Sequence, residues 1–281
     1  AMQPRYYSFV NSPLRQPGVA VVAFSIVDVP LPSLLLNGAA LPGHDTRRRR
    51  GVCSHWLAHL AQTHLGLEPR IETASLIQAR DLGPASTLQV RVRYRPSPVF
   101  RLPTPDPLRT PLIMIGPGTG VAPFVGFLHH LQACLQKDGH TKPIAESWLF
   151  FGCRSPDQDF LYRDELLHLD VSEATETDTG ARSLSQLVLA FSRASPELVY
   201  VQDRLRESGK DIVRIMCGNA EQQQQQPGRI YICGDALGMA KEVRQALQEI
   251  VAEHTHRSVE EAAALLRDWT AQQRLLLDVW H

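Results

Sequence analysis

The chain has no surplus of either charge: Lys and Arg number 29, Asp and Glu number 29, and the net charge at pH 7 is zero. No global basic field draws in nucleic acid or an anionic membrane, so a small molecule or a specific protein surface is the expected partner. No apolar run approaches the roughly 18 residues that a membrane-crossing helix needs, and no secretory pattern opens the sequence. A cytoplasmic chain with no membrane segment and no nucleic-acid partner is therefore expected. The cysteines, Cys53, Cys134, Cys153, Cys217 and Cys233, are odd in number and never spaced as Cys-x-x-Cys. That argues against a disulfide framework and a zinc site, and no metal is expected. Two phosphate-binding spellings are absent as well. Val121 and Ala122 follow the glycines of 116–120 where a P-loop needs Lys and Ser or Thr, and Pro123 stands where G-x-G-x-x-G needs its last glycine.

What is present is a strand that runs into a glycine turn and restarts as a helix, at 111–124. Glycines let a backbone approach a pyrophosphate closely, and the unpaired N–H groups and dipole of the new helix favour an anion there. Pro123 falls in the first helical turn, where its missing N–H costs nothing. Three more short apolar runs follow, at 148–151, 187–191 and 230–233, each leading into a helical stretch. This rhythm predicts an α/β domain with a doubly wound parallel sheet and ligands at the carboxyl ends of its strands. In the helix after the last of these strands, Met239, Val243, Leu247, Ile250 and Val251 share a face.

The first hundred residues read as β-rich. The run 19–27 suits a buried strand, and 88–94 alternates as a half-buried one. Between them Ser54 can cap a helix whose Trp56, Leu57, Leu60 and Ala61 form an apolar stripe. The six prolines of 96–111 read as a connection between domains. The polar stretches 170–182 and 222–226 read as exposed insertions. The arginines 47–50 read as a solvated loop ahead of the Gly51, Val52, Cys53, Ser54 helix start, itself an anion-site candidate.

Arg154 follows the second strand of the sheet, Ser192 and Arg193 the third, and Cys233, Gly234 and Asp235 the fourth. With Gly118, Thr119 and Gly120 they ring one edge, and two guanidinium groups there suit a ligand with several phosphates. Tyr200 and Gln202 can add an aromatic face for a purine and a hydrogen bond. No Tyr/Lys or His/Asp pair stands near these ends as a general base, which disfavours a flavin-free dehydrogenase. Near the end of the chain Trp280 either tucks onto a core or lies over a flat ligand.

Taken together, the spellings at 5–8, 51–57, 116–124, 151–154, 190–193, 200–202, 231–236 and 278–280 resemble the reductase half of the diflavin reductases, in colinear order over nearly the whole chain. Segments 123–128 and 148–151 look most like methionine synthase reductase, while other segments are similar to cytochrome P450 reductase and to the diflavin reductase of iron–sulfur assembly. The resemblance implies a ferredoxin–NADP reductase-like architecture. Part of an antiparallel FAD-binding β-barrel, at 1–108, would precede an NADPH-binding domain at 109–281.

It further implies that Arg5, Tyr7 and Ser8 match the family's R-x-Y-S motif on FAD, and that Gly51, Val52, Cys53 and Ser54 match its second pyrophosphate motif. Ser192, Arg193, Tyr200 and Gln202 match positions that recognise the 2′-phosphate and adenine of NADPH. Ser8, Cys233 and Asp278 match the polar trio that aids hydride transfer, and Trp280 the ring that covers the flavin. The family commonly has a lysine just before the tyrosine, where Leu198 and Val199 stand, so phosphate discrimination would fall mainly to Arg193. Further barrel strands, a connecting domain and an FMN domain precede R-x-Y-S in the family. The chain is therefore expected to be a piece of a longer protein, passing electrons to the FMN domain and a protein acceptor. The rival expectation is a non-catalytic NADP-binding interaction module.

Overall fold

The computed structural model describes residues 5–26, 28–30, 35–36, 39–40, 48–65, 92–137, 145–170, 182–194, 196–218 and 226–280. Two compact units emerge, which do not follow the linear order of the chain: Ala1–Tyr7 with Ala23–Val92, and Ser8–Val22 with Arg93–His281.

The first unit contains two small antiparallel ladders. Strand β1 (Asp28–Pro30) pairs with β4 (Arg48–Arg50), and β2 (Leu35–Leu36) pairs with β3 (Ala39–Ala40). Three of the four arginines expected in a loop are thus in a strand, held by backbone pairing that is indifferent to side-chain charge. Helix α1 (Val52–Leu65) follows at once. In it Leu57, Leu60 and Ala61 are half-buried while Trp56 is exposed.

The second unit is built on one five-stranded sheet. Strands β5 (Leu112–Ile115), β6 (Ser147–Cys153), β7 (Gln186–Phe191), β8 (Arg229–Asp235) and β9 (Leu275–Trp280) are all parallel, in the order β7-β6-β5-β8-β9. The sheet grows from β5 outward to β7, then returns to lay β8 on the other side of β5. That reversal leaves a crevice at the carboxyl ends of β5 and β8, where ligands of doubly wound sheets bind. Helices α2 (Ala122–Lys137), α3 (Arg163–Leu169), α4 (Val201–Glu207), α5 (Gly209–Cys217), α6 (Met239–Thr255) and α7 (Val259–Ala271) supply the crossovers. Strands covered on both faces bury continuous apolar runs, and Ile113, Ile115, Phe150, Ile230 and Ile232 have no exposed surface. The start of α7 is fixed by a reciprocal cap, in which Ser258 accepts from the Glu261 N–H and Glu261 accepts from the Ser258 N–H.

Three further expectations differ from the structure. Of the run 19–27, residue 27 lies outside those described and the rest is not a buried strand: its described pairing is a single bridge from Val22 to Phe9, and Val19 and Val22 are exposed. Of 88–94, the residues up to 91 lie outside those described, and Val92 and Tyr94 are exposed and outside any strand. The proline-rich segment is packed rather than free. Phe100 lies edge-on to Tyr231 at 5.3 Å between ring centroids, and the Tyr231 hydroxyl donates to the Arg101 carbonyl at 2.7 Å. Proline fixes φ, so such a stretch docks with little loss of chain entropy. The insertions at 170–182 and 222–226 fall mostly outside the described residues.

Segment Ser8–Val22 lies on α2. Gly126 leaves room for it, since a Cβ there would stand 3.2 Å from the Phe9 carbonyl oxygen. The Ser12 hydroxyl bonds His130 Nδ1 at 3.1 Å, and Arg15 pairs with Glu165 at 3.4 Å. Among the described residues no helix is long and apolar enough to cross a membrane, and no group of His, Cys, Asp or Glu could hold a metal ion.

Candidate functional site

The turn after β5 uses its three glycines for different reasons. Gly118 has φ +55°, in the left-handed region, with open space where a Cβ would project. At Gly116 a Cβ would come within 2.5 Å of the Gly120 carbonyl oxygen and 2.6 Å of Phe124 Cε2. At Gly120 it would collide with the Cys233 carbonyl oxygen of β8. The Gly120 N–H donates to the Pro117 carbonyl at 3.0 Å, so Gly120 serves the turn by close packing rather than as an open donor. Gly118 and Thr119 begin the 3-10 turn Gly118–Val121, which continues into α2. Their N–H groups stand where a helix has no internal acceptors, at the positive end of its dipole. A phosphate fits this cradle.

At the end of β6, Arg154 is bound to Asp159. The carboxylate accepts from the Arg154 N–H at 2.9 and 3.1 Å, from the Ser155 N–H at 2.9 Å and from Arg154 Nε at 2.9 Å. The β6–β7 ladder runs on past both strands, with the Ser192 N–H donating to the Cys153 carbonyl at 2.9 Å and the Arg193 N–H to the Arg154 carbonyl at 2.8 Å. This extension brings Arg154 and Arg193 together as expected. Tyr200 precedes α4 as its N-cap, its N–H donating to Asp203 at 2.8 Å, and the residue is 45% exposed. Gln202 Nε2 donates to Glu242 of α6 at 2.8 Å.

At the end of β8, the Asp235 carboxylate accepts from the Gly238 N–H at 2.6 Å and closes the turn into α6. Cys233 lies in register with Asp278 of β9, and the Ser8 hydroxyl donates to Asp278 Oδ2 at 2.9 Å. The expected trio is thus adjacent, and Cys233 is fully buried. Burial, and then the Asp278 carboxylate, push its thiol far above the ordinary value, so it remains S–H. The backbone of Trp280 is held by the Ala236 N–H, which donates to its carbonyl at 2.9 Å, while its side chain is not tucked away and the residue is 44% exposed.

In the first unit, the Tyr7 hydroxyl donates to Cys53 Sγ at 3.3 Å, which joins the expected 5–7 and 51–54 segments. Burial, then Cys53, push the phenol up to about 12, against the pull of Arg5, so it stays protonated. Helix α1 has no acidic residue in its first turn. Ser54 is buried with its hydroxyl 3.5 Å from the Gly51 carbonyl, whereas Val52 and Arg5 are exposed. An open helix start preceded by Gly51 suits a second anion.

Sequence reasoning missed Asp159, Glu242 and strand β9. Only β9 had a readable signal, the apolar run 275–277. A cleft of ≈ 420 Å³ is lined by Arg15, His129, Gln132, Glu165 and His168 among others, none of them an expected site residue.

Residues 114–245 match the family described as the oxidoreductase NAD-binding domain. The chain is 37% identical to the methionine synthase reductase of Rattus norvegicus over 286 residues, 99% of this chain and 36% of that protein. It is 35% identical to the human protein of the same name over 285 residues, and 34% identical to the NADPH–cytochrome P450 reductase of Aspergillus niger over 282 residues, with the same shares covered. It spans just over a third of the length of these relatives, each at 36%.

Proposed function

We propose that this chain, a homologue of the diflavin reductases over nearly its whole length, is an NADPH-dependent oxidoreductase module that accepts a hydride onto FAD. Residues 109–281 would form the NADPH-binding domain and 1–108 the FAD-binding one, of which residues 8–22 and 93–108 belong to the larger compact unit. When bound, NADPH supplies the hydride and FAD the conversion of an electron pair into single electrons.

The residues divide this work by chemistry. The Gly118 and Thr119 N–H groups hold the NADPH pyrophosphate, while Gly120 keeps the cradle against β8. Arg193, Arg154 and Ser192 grip the 2′-phosphate, for which a bidentate guanidinium is well shaped. Tyr200 offers its exposed ring to the adenine and Gln202, steadied by Glu242, a hydrogen bond. Asp235 keeps the turn into α6 in place beneath the nucleotide. Arg5 and the N–H groups of 51–54 hold the FAD pyrophosphate, and Tyr7 packs on the flavin as a neutral phenol. Ser8, whose hydroxyl donates to Asp278, would supply a hydroxyl close to the flavin's reactive nitrogen. Cys233 contributes as a buried S–H beside Asp278. Trp280, half-exposed at the end of β9, would cover the flavin and would have to move for nicotinamide to approach, so its ring would exclude water and gate access.

The observation that carries this reading is the Ser8–Asp278 hydrogen bond at the same strand edge as an exposed Trp280 and the glycine cradle. In the intact protein the electrons would pass to an FMN domain and then to a protein acceptor of the methionine synthase type, with a P450 or an iron–sulfur assembly protein as the alternative acceptors, in the cytoplasm. The test is the visible spectrum of the purified chain supplied with FAD, before and after anaerobic NADPH. A protein-bound flavin band that bleaches supports the reading; nucleotide binding with no bound flavin and no bleaching marks a non-catalytic NADP-binding module instead.

A further inference from the structure

Arg154 and Arg193 stand at the same edge but are not held alike. Arg154 is 57% exposed at its side chain, yet its Nε is fixed on Asp159, whose own side chain is 27% exposed. One carboxylate there accepts from two backbone N–H groups and a guanidinium nitrogen, all within five residues of chain. Such a local clasp closes at small entropic cost. Burial alone would push the Asp159 carboxyl up, but the hydrogen bonds from Ser155 and Arg154 outweigh it, hold the carboxyl below its usual value and keep it ionised. Among the described residues, the two Nη groups of Arg154 have no partner.

We infer that Asp159 is a positioning residue for nucleotide selection, holding the Arg154 guanidinium by Nε so that both Nη groups are ready for the phosphate monoester that distinguishes NADPH from NADH. The inference rests on the NADPH reading above and adds a residue to it. An arginine stem surrenders much rotamer freedom when it grips a ligand, and fixing Nε beforehand removes part of that loss from the binding step. The negative charge of Asp159 opposes a phosphate nearby, but three N–H donors already lie against it. Pre-orientation therefore outweighs repulsion at this exposed, well-screened edge.

Asp159→Asn separates the two duties of the carboxylate. Its Oδ1 can still accept the N–H groups of Arg154 and Ser155, which preserves the turn, while its NH₂ cannot accept from Arg154 Nε. Calorimetric titration of the whole chain with 2′,5′-ADP and with 5′-AMP reads the effect without turnover. The wild-type chain should prefer 2′,5′-ADP. D159N should weaken that ligand about tenfold and change 5′-AMP by less than about twofold. In an Arg154→Ala background D159N should cost nothing further, because the group it positions is gone. Equal losses on both ligands, an unchanged 2′,5′-ADP affinity, or a tenfold loss that persists in the R154A background would each overturn the role. If D159N fails to fold, Arg154→Lys is the substitute: a lysine cannot be held by an Nε–H fork, so a retained preference in R154K would overturn it equally. A wild-type chain with no preference would overturn the NADPH reading itself, and this inference with it.

Discussion

The interior of the parallel sheet and its carboxyl edge are one residue apart on several strands and obey different rules. On β5, Ile115 is fully buried and the next residue is the first glycine of the cradle; on β8, buried Cys233 is followed by Gly234 at φ +151° and exposed Asp235. The interior is close-packed and tolerates no volume change. The edge is made of positive-φ backbone, half-exposed aromatics and guanidinium groups. Stability and selectivity are therefore separable by position along a single strand.

The sharpest test of that separation is Phe150→Ala in β6. It should lower stability by about 3–5 kcal/mol in urea denaturation, while the fraction that remains folded keeps its nucleotide preference. Gly120→Ala should break the separation, since a Cβ there meets the Cys233 carbonyl of the interior while deforming the cradle. About 3 kcal/mol of stability and most nucleotide affinity should be lost together, seen in one melting and one binding series. Arg193→Ala should sharpen it from the other side. NADPH binding should weaken by about 2–3 kcal/mol with NADH spared, and the melting temperature should hold; equal loss for both nucleotides would remove Arg193 from phosphate recognition. The smallest effect belongs to Glu146, at the opposite end of β6, which accepts from Arg214 of α5 at 2.6 and 2.9 Å. The Arg214 hydrogen bonds are the chief cause that holds this carboxyl below its usual 4.5. A depressed carboxyl contributes stability above its unfolded value and loses it as pH falls through the folded one. With each side chain about a third exposed, Glu146→Gln should cost only about 1 kcal/mol at pH 7, and the gap to wild type should close as pH drops below about 4.5.

The strands of the interior were legible because both of their faces are covered. Continuous runs such as 112–115 and 230–233 admit few other readings, and β5 occupies the expected residues. The expectations for 19–27 and 88–94 failed in their described residues, 19–26 and 92–94, for the converse reason: an apolar or alternating run specifies a strand only when a partner ladder takes it up, and the sequence does not say which segment that is. At the edge, the glycine turn was readable since it is a backbone constraint written in composition. The partners of the functional side chains were not. Gln202 meets Glu242 forty residues on, a pairing made by α4 packing against α6, and Asp159 looked like any polar loop residue until the turn closed it onto Arg154. Cys233 was readable as standing at the ligand edge, and burial beside a carboxylate made it a thiol that keeps its proton.

The Ser8–Asp278 hydrogen bond joins residues 270 positions apart. A contact of that separation must await nearly all the chain, since Ser8 leaves the ribosome long before its partner exists and loop closure over such a span is among the slowest to be rewarded. The centre proposed for hydride transfer thus rests on a contact of very long sequence separation. In refolding, helical signal and core burial should return first, and competence should lag behind both, so a chain that regains its spectrum has not yet regained its chemistry.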